Sequence, residues 1–122
     1  MIGTNNTGHN LRAAQETAMG IEKILEDLAW KWPEAKIILT AIFPRGATPD
    51  DPKRQRNAEI NALIKPLADG KRVFWQDINA KFLEADGALS REIMPDLLHL
   101  NEASYGIWAE ALSAKLVELG VK

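Results

Sequence analysis

Cysteine is absent from the 122 residues, which excludes disulfides, thiolate nucleophiles and thiolate metal sites and leaves the cellular compartment open. Histidine is scarce. Only His9 and His99 occur, with no HExxH-type spacing, so no histidine-rich metal centre is expected. Charge of one sign is also lacking: 15 Lys and Arg stand against 17 Asp and Glu, for a net charge of −2. No basic run interleaved with aromatics is present to gather phosphates, so nucleic acid is not expected as a partner. The short cluster Lys53–Arg56 follows Asp50 and Asp51 and reads as a solvated helix start. Apolar runs are far too short for a membrane span. The opening residues MIGTNNTGHN carry neither a basic nor an apolar leader-like region, and any leader is expected in a missing upstream part.

What is there is ordinary globular composition, 46% hydrophobic and 26% charged, in a length that suits one domain with one core. Two apolar runs rich in β-branched and aromatic residues, KIILTAIF at 36–43 and RVFWQDI at 72–78, read as buried strands. The near-continuous hydrophobicity of the first suits a parallel sheet covered on both faces. Helical spacing is found in 12–32, through Ile21, Ile24, Leu25, Leu28 and Trp32, with Pro33 as its stop. A second helix is expected over 53–69 on the stripe Ile60, Leu63, Ile64 and Leu67, kinked or ended early at Pro66. A third, over 102–119, has Asn101 as N-cap and Gly120 as its stop.

The order loop, helix, strand, helix, strand, loop, helix is the alternation of a doubly wound α/β domain. It is expected to be incomplete, because two strands are too narrow for three helices and leave edges unpaired. MI at positions 1 and 2 reads as the end of a third strand whose beginning lies upstream. Self-association through the exposed sheet edge is therefore expected.

In a doubly wound sheet, loops leaving the carboxyl ends of strands meet at the ligand crevice. Three segments qualify: the Gly3-Thr4-Asn5-Asn6 turn, PRGATPDDP from Pro44, and the long stretch 79–100. Asn5 is placed to offer a side-chain amide to a bound substrate. Asp96 stands three residues before His99, and a carboxylate beside an imidazole can fix its tautomer and stabilise the imidazolium formed during proton transfer.

Together, GTNN after a strand, PRG after the next and PDLLHLNEASYGIWAEAL near the C-terminus resemble the SGNH, or GDSL-type, hydrolases, closest to the acetylhydrolases related to the catalytic subunits of platelet-activating-factor acetylhydrolase. The resemblance implies a flavodoxin-like three-layer α/β/α sandwich with a parallel sheet, its N-terminal strands missing, so that residues 1–122 form the C-terminal portion of a single domain. It implies serine-esterase chemistry on a small-molecule acyl ester, with short acyl or acetyl groups, and no cofactor. Asp96 then matches the triad carboxylate, His99 the general base and Asn5 the oxyanion donor. Asn6 stands where the family more often has aspartate, and no Gly-Asp-Ser nucleophile turn is present.

The serines that do occur are poor substitutes. Ser104 is on the same helix start that follows His99, Ser113 is deep in that helix, and Ser90 lacks a strand-to-helix elbow. The chain alone is expected to be inactive, its nucleophile supplied from elsewhere. The competing reading is a non-catalytic α/β binding module derived from such an enzyme. His9 reads as a polar residue at a helix entrance, Trp30, Trp32, Trp75 and Trp108 as core packing, and Arg45 as a solvated loop residue outside the site.

Overall fold

The computed structural model describes residues 1–10 and 12–121, the side chains of His9 and Asn10 excepted. Among these described residues four α-helices and two strands follow one another as α1 (Thr4–Asn10), α2 (Ala14–Lys31), β1 (Ile37–Thr40), α3 (Pro52–Ile64), β2 (Val73–Gln76) and α4 (Glu102–Glu118). Single 3₁₀ turns at Lys65–Leu67 and Asn79–Phe82 follow α3 and β2. Pro66 lies in the first of these turns, so the α-helix gives way just before the residue that cannot donate to its ladder.

β1 and β2 pair in parallel, with Ile37 opposite Val73 and Thr40 opposite Gln76. Side chains alternate across the sheet. Ile37, Leu39, Val73 and Trp75 face α2 and α3, where they meet Ile21, Ile60 and Ile64. On the opposite face Gln76 Nε2 donates to the Ala111 carbonyl of α4 at 2.9 Å. The sheet is thus a middle layer between helices, and a second apolar cluster of Phe43, Ile78, Phe82, Leu89 and Met94 fills the space beyond the strand ends beneath Ile107 and Trp108.

Both strands are shorter than their apolar runs. Beyond Thr40 the backbone stays buried, yet its partners become side chains: Asn61 Oδ1 accepts from Ile42 N at 2.7 Å and Asn61 Nδ2 donates to Ile42 O at 2.9 Å. Asn57 Nδ2 donates to Phe43 O at 3.1 Å. Asparagines of α3 therefore continue the hydrogen bonding that a neighbouring strand would otherwise supply, and the chain is free to leave the sheet toward Arg45.

Three expectations need correction. Met1 and Ile2 form no strand; the Met1 thioether instead takes the Phe43 N–H at 3.3 Å beside the continuation of β1. The GTNNTGHN segment is a short helix, α1, with Thr7 fully buried, since Thr7 Oγ1 donates to Asn57 Oδ1 at 2.5 Å and pins that turn to α3. Trp30 and Trp32 are not core residues: they are 84% and 55% exposed, Trp30 in the last turn of α2 and Trp32 as its C-cap, where the stripe that carries Ile21 runs out.

α4 starts and stops as its sequence directs. Asn101 Oδ1 accepts from Ser104 N at 2.9 Å, and Gly120 N and Val121 N donate to Val117 O and Leu116 O to close the last turn. Among the described residues no helix is long and apolar enough to cross a membrane.

Candidate active site

Pro95 and Asp96 occupy the corner of a turn in which Leu97 N donates to Met94 O at 2.8 Å. Asp96 Oδ1 then accepts from Leu98 N at 3.0 Å and His99 N at 2.8 Å, so one carboxylate oxygen organises the next two peptides. The other oxygen, Oδ2, lies 2.6 Å from His99 Nδ1. Leu97, between them, has φ of 60°, a left-handed conformation that costs a non-glycine residue and is retained only where the surroundings impose it. Its side chain packs on the second apolar cluster, and its carbonyl accepts from Gly46 N at 3.0 Å.

The hydrogen bond from His99 is the largest influence on Asp96 and, with the His99 backbone N–H, lowers its pKa from 3.8 to about 2. The pair is exposed, with side-chain accessibilities of 75% for His99 and 54% for Asp96, so its persistence comes from the turn and not from burial.

His99 and Asn5 line the same cleft, of about 230 Å³, together with Thr4, Leu98, Tyr105 and Trp108. Asp96 lies outside this cleft, in an adjoining hollow with Arg45, Gly46 and Lys53, and reaches it only through the imidazole. The arrangement can hold a histidine tautomer from one side while the ring faces a ligand on the other, with an asparagine across the cleft as a hydrogen-bond donor. Phe43 meets the Trp108 ring edge-on at 4.9 Å, and Tyr105 stacks on Trp108 at 6.0 Å, giving the cleft an aromatic wall.

The serines are disposed differently. Ser104 is buried and its hydroxyl donates to Ile93 O at 2.6 Å, an anchor for the start of α4. Ser90 Oγ accepts from Glu92 N at 3.1 Å, and Ser113 is exposed on α4. None of them lines the cleft that holds His99. His9 falls in α1, and its side chain lies outside the described residues.

Arg45 is not a solvated bystander. Its guanidinium donates to Thr4 O at 2.8 Å and approaches Thr4 Oγ1 at 3.3 Å, immediately before Asn5. The sequence carried a signal for this framework: Arg54, Asn57 and Asn61 share the helical face of α3 with Ile60 and Ile64, and polar residues on a buried stripe must find buried partners. The i,i+3 spacing of Tyr105 and Trp108 puts the two rings side by side on the expected helix, but nothing in the sequence brings Phe43 to them.

The parallel sheet between helices, with its open crevice at the strand ends, defines an α/β protein of the flavodoxin-like class. A solved structure from Streptococcus pneumonia, described in connection with platelet activating factor, superposes with a TM-score of 0.80 at 24% identity, covering 95% of this chain and 57% of that one, and shares this fold. The chain belongs to the GDSL-like lipase/acylhydrolase family, whose model matches residues 1–107. It is similar to platelet-activating factor acetylhydrolase IB subunit alpha2 of Gallus gallus, 37% identical over 119 residues, and to subunit alpha1 of Homo sapiens, 33% identical over 119 residues. In both cases 97% of this chain aligns with 50% of the relative, so the chain spans about half the length of the curated relatives it matches.

Proposed function

We propose that this chain is the base-bearing portion of a serine esterase acting on short acyl esters, and that the nucleophilic serine comes from sequence equivalent to the part of its relatives that it does not span. In this reading His99 takes the serine proton and returns it to the leaving alcohol, Asp96 holds the imidazole through Nδ1, and Asn5 donates to the developing oxyanion. The observation that carries the reading is the 2.6 Å contact of Asp96 with His99 behind a cleft that His99 shares with Asn5. Membership of the acylhydrolase family supports the reaction class. The names of the acetylhydrolase relatives support a small acyl group. The aromatic wall suits an uncharged substrate, and the reading requires neither metal nor organic cofactor.

A place for the additional sheet is open. Beside β1 runs an apolar groove of about 290 Å³ lined by Ile2, Ile24, Leu28, Ile38 and Trp108 among others, where a further parallel strand would cover the edge. Left uncovered, this edge promotes self-association of the chain. The second reading, a non-catalytic module, is favoured by the burial of Ser104 and by this same groove as a place for a partner strand.

The test is to fuse a segment bearing a Gly-Asp-Ser turn ahead of Met1 and assay hydrolysis of short acyl esters. Turnover by the fusion and none by the chain alone supports the esterase reading. A soluble, well-folded fusion without turnover supports the module.

A further inference from the structure

Arg45 and Gly46 are consecutive, and each holds one half of the candidate site. The Arg45 guanidinium donates to the carbonyl of Thr4, the residue before Asn5. The Gly46 N–H donates to the carbonyl of Leu97, the residue between Asp96 and His99. No other neighbouring pair among the described residues is bonded to both segments in this way.

The dipeptide is itself clamped from below. Arg54, 8% exposed on α3, donates through Nε to Arg45 O at 3.1 Å and through a terminal nitrogen to Gly46 O at 2.5 Å. Its remaining terminal nitrogen donates to Gly87 O, which ties in the 84–88 turn. Planar guanidinium groups suit this task, because several donors are fixed in one rigid fork. Gly46 has φ of 76° and lies against the Asp51 carboxylate, so a side chain there meets both backbone strain and a clash. Asp51 in turn caps α3 by accepting from Lys53 N and Arg54 N.

We propose that Arg45 is a positioning residue: with Gly46 it forms a strut, seated on Arg54, that sets the separation of Asn5 from the His99–Asp96 pair. The inference rests on the assignment of those three residues to one site. Its functional consequence follows from geometry, since an oxyanion donor displaced by a fraction of an ångström from the base loses much of its effect.

The primary experiment needs no turnover. In the 122-residue chain, amide NMR and hydrogen exchange are compared for the parent, Arg45→Ala, Arg45→Lys and Gly46→Ala. Arg45→Ala is expected to move the Asn5 amide resonance and to speed exchange in α1 on the order of tenfold, leaving α4 unchanged. Added guanidinium ion should restore the parent resonances in part. Gly46→Ala should move the amides of both Asn5 and His99. If Arg45→Ala does not fold, Arg45→Lys carries the test, because an ammonium cannot reproduce the fork and should shift Asn5 while preserving the α2–α3 core. An unmoved Asn5 in the arginine variants, or a Gly46→Ala response confined to the His99 side, would overturn the strut.

Turnover of the Gly-Asp-Ser fusion separates the two ideas. There Arg45→Ala should lower kcat by roughly tenfold to a hundredfold with KM little changed, and guanidinium should recover part of the loss. If His99→Ala leaves turnover intact while the resonances move as expected, the catalytic reading fails and the strut stands. If His99→Ala abolishes turnover and Asn5 does not move in the arginine variants, the strut alone fails.

Discussion

His99 Nδ1 lies 2.6 Å from Asp96 Oδ2 across a turn whose middle residue, Leu97, is held at φ of 60°. An i,i+3 pair of exposed polar residues has little reason to stay together on its own. Here the same carboxylate also accepts two backbone N–H groups, and the Leu97 carbonyl is tied to Gly46, so the imidazole is presented and not merely nearby.

This geometry sets the acid behaviour of Asp96. Its pKa in the folded chain is lowered from 3.8 to about 2, first by the His99 side chain and then by backbone donors. The ionised form is therefore favoured by folding; the stabilisation is fully present above about 3.8 and is lost as pH falls through about 2. Following the Asp96 carboxyl carbon by NMR should give a midpoint near 2, moving back toward 3.8 in His99→Ala. A parent midpoint near 3.8 would show that the pair does not persist in solution.

Asn57 is expected to matter for stability out of proportion to its size. It is 1% exposed, accepts from Thr7 and donates to Phe43 O, joining α1, α3 and the end of β1. Asn57→Ala strands the buried Phe43 carbonyl and leaves the Thr7 hydroxyl only the carbonyls of its own turn, Thr4 O at 3.0 Å and Gly3 O at 3.4 Å, and chemical denaturation should show a loss of about 1–3 kcal/mol. A loss within experimental error would mean that water replaces both partners without cost.

The long helices and both strands were legible in the sequence because each carries a hydrophobic period over enough residues to outweigh local preference. Strand ends were not, since Ile42 and Phe43 remain apolar and buried while bonding to Asn61 and Asn57, a change of partner that hydrophobicity cannot register. α1 was hidden for a related reason. Its Gly, Asn and Thr residues are weak helix formers, and the turn is held by tertiary bonds from Asn57 and Arg45. Asp96, His99 and Asn5 were singled out by the resemblance of their order and spacing to the family's, whereas the bond of Arg45 to Thr4 was not legible, because a loop arginine looks the same in sequence whether it is solvated or bonded.

Covalent chemistry provides another check. Since the Ser104 hydroxyl is buried on Ile93 O and neither Ser90 nor Ser113 lines the cleft, a fluorophosphonate probe should give no stoichiometric labelling of the chain. Mass spectrometry of the treated protein decides the matter. Adduct at Ser90 or Ser104 would mean that the chain carries its own nucleophile.

The open β1 edge and its groove predict concentration-dependent association. Sedimentation velocity of the chain should show growing species as concentration rises, reduced by the double substitution Ile2→Glu and Ile24→Glu, whose parent side chains are 59% and 43% exposed in the groove. A sharply melting monomer at every concentration would favour a self-sufficient binding module.

The central claim is that His99, Asp96 and Asn5 act together on an acyl ester, and kcat/KM of the Gly-Asp-Ser fusion on a short acyl ester measures it most directly. His99→Ala should lower kcat/KM by roughly a thousandfold or more and Asp96→Asn should fall comparably, because the imidazole loses the partner that sets its tautomer. Asn5→Ala should lower it by roughly a hundredfold to a thousandfold through loss of one oxyanion donor. Turnover undiminished by both His99→Ala and Asp96→Asn would contradict the account and leave their 2.6 Å contact as a feature of a surface turn.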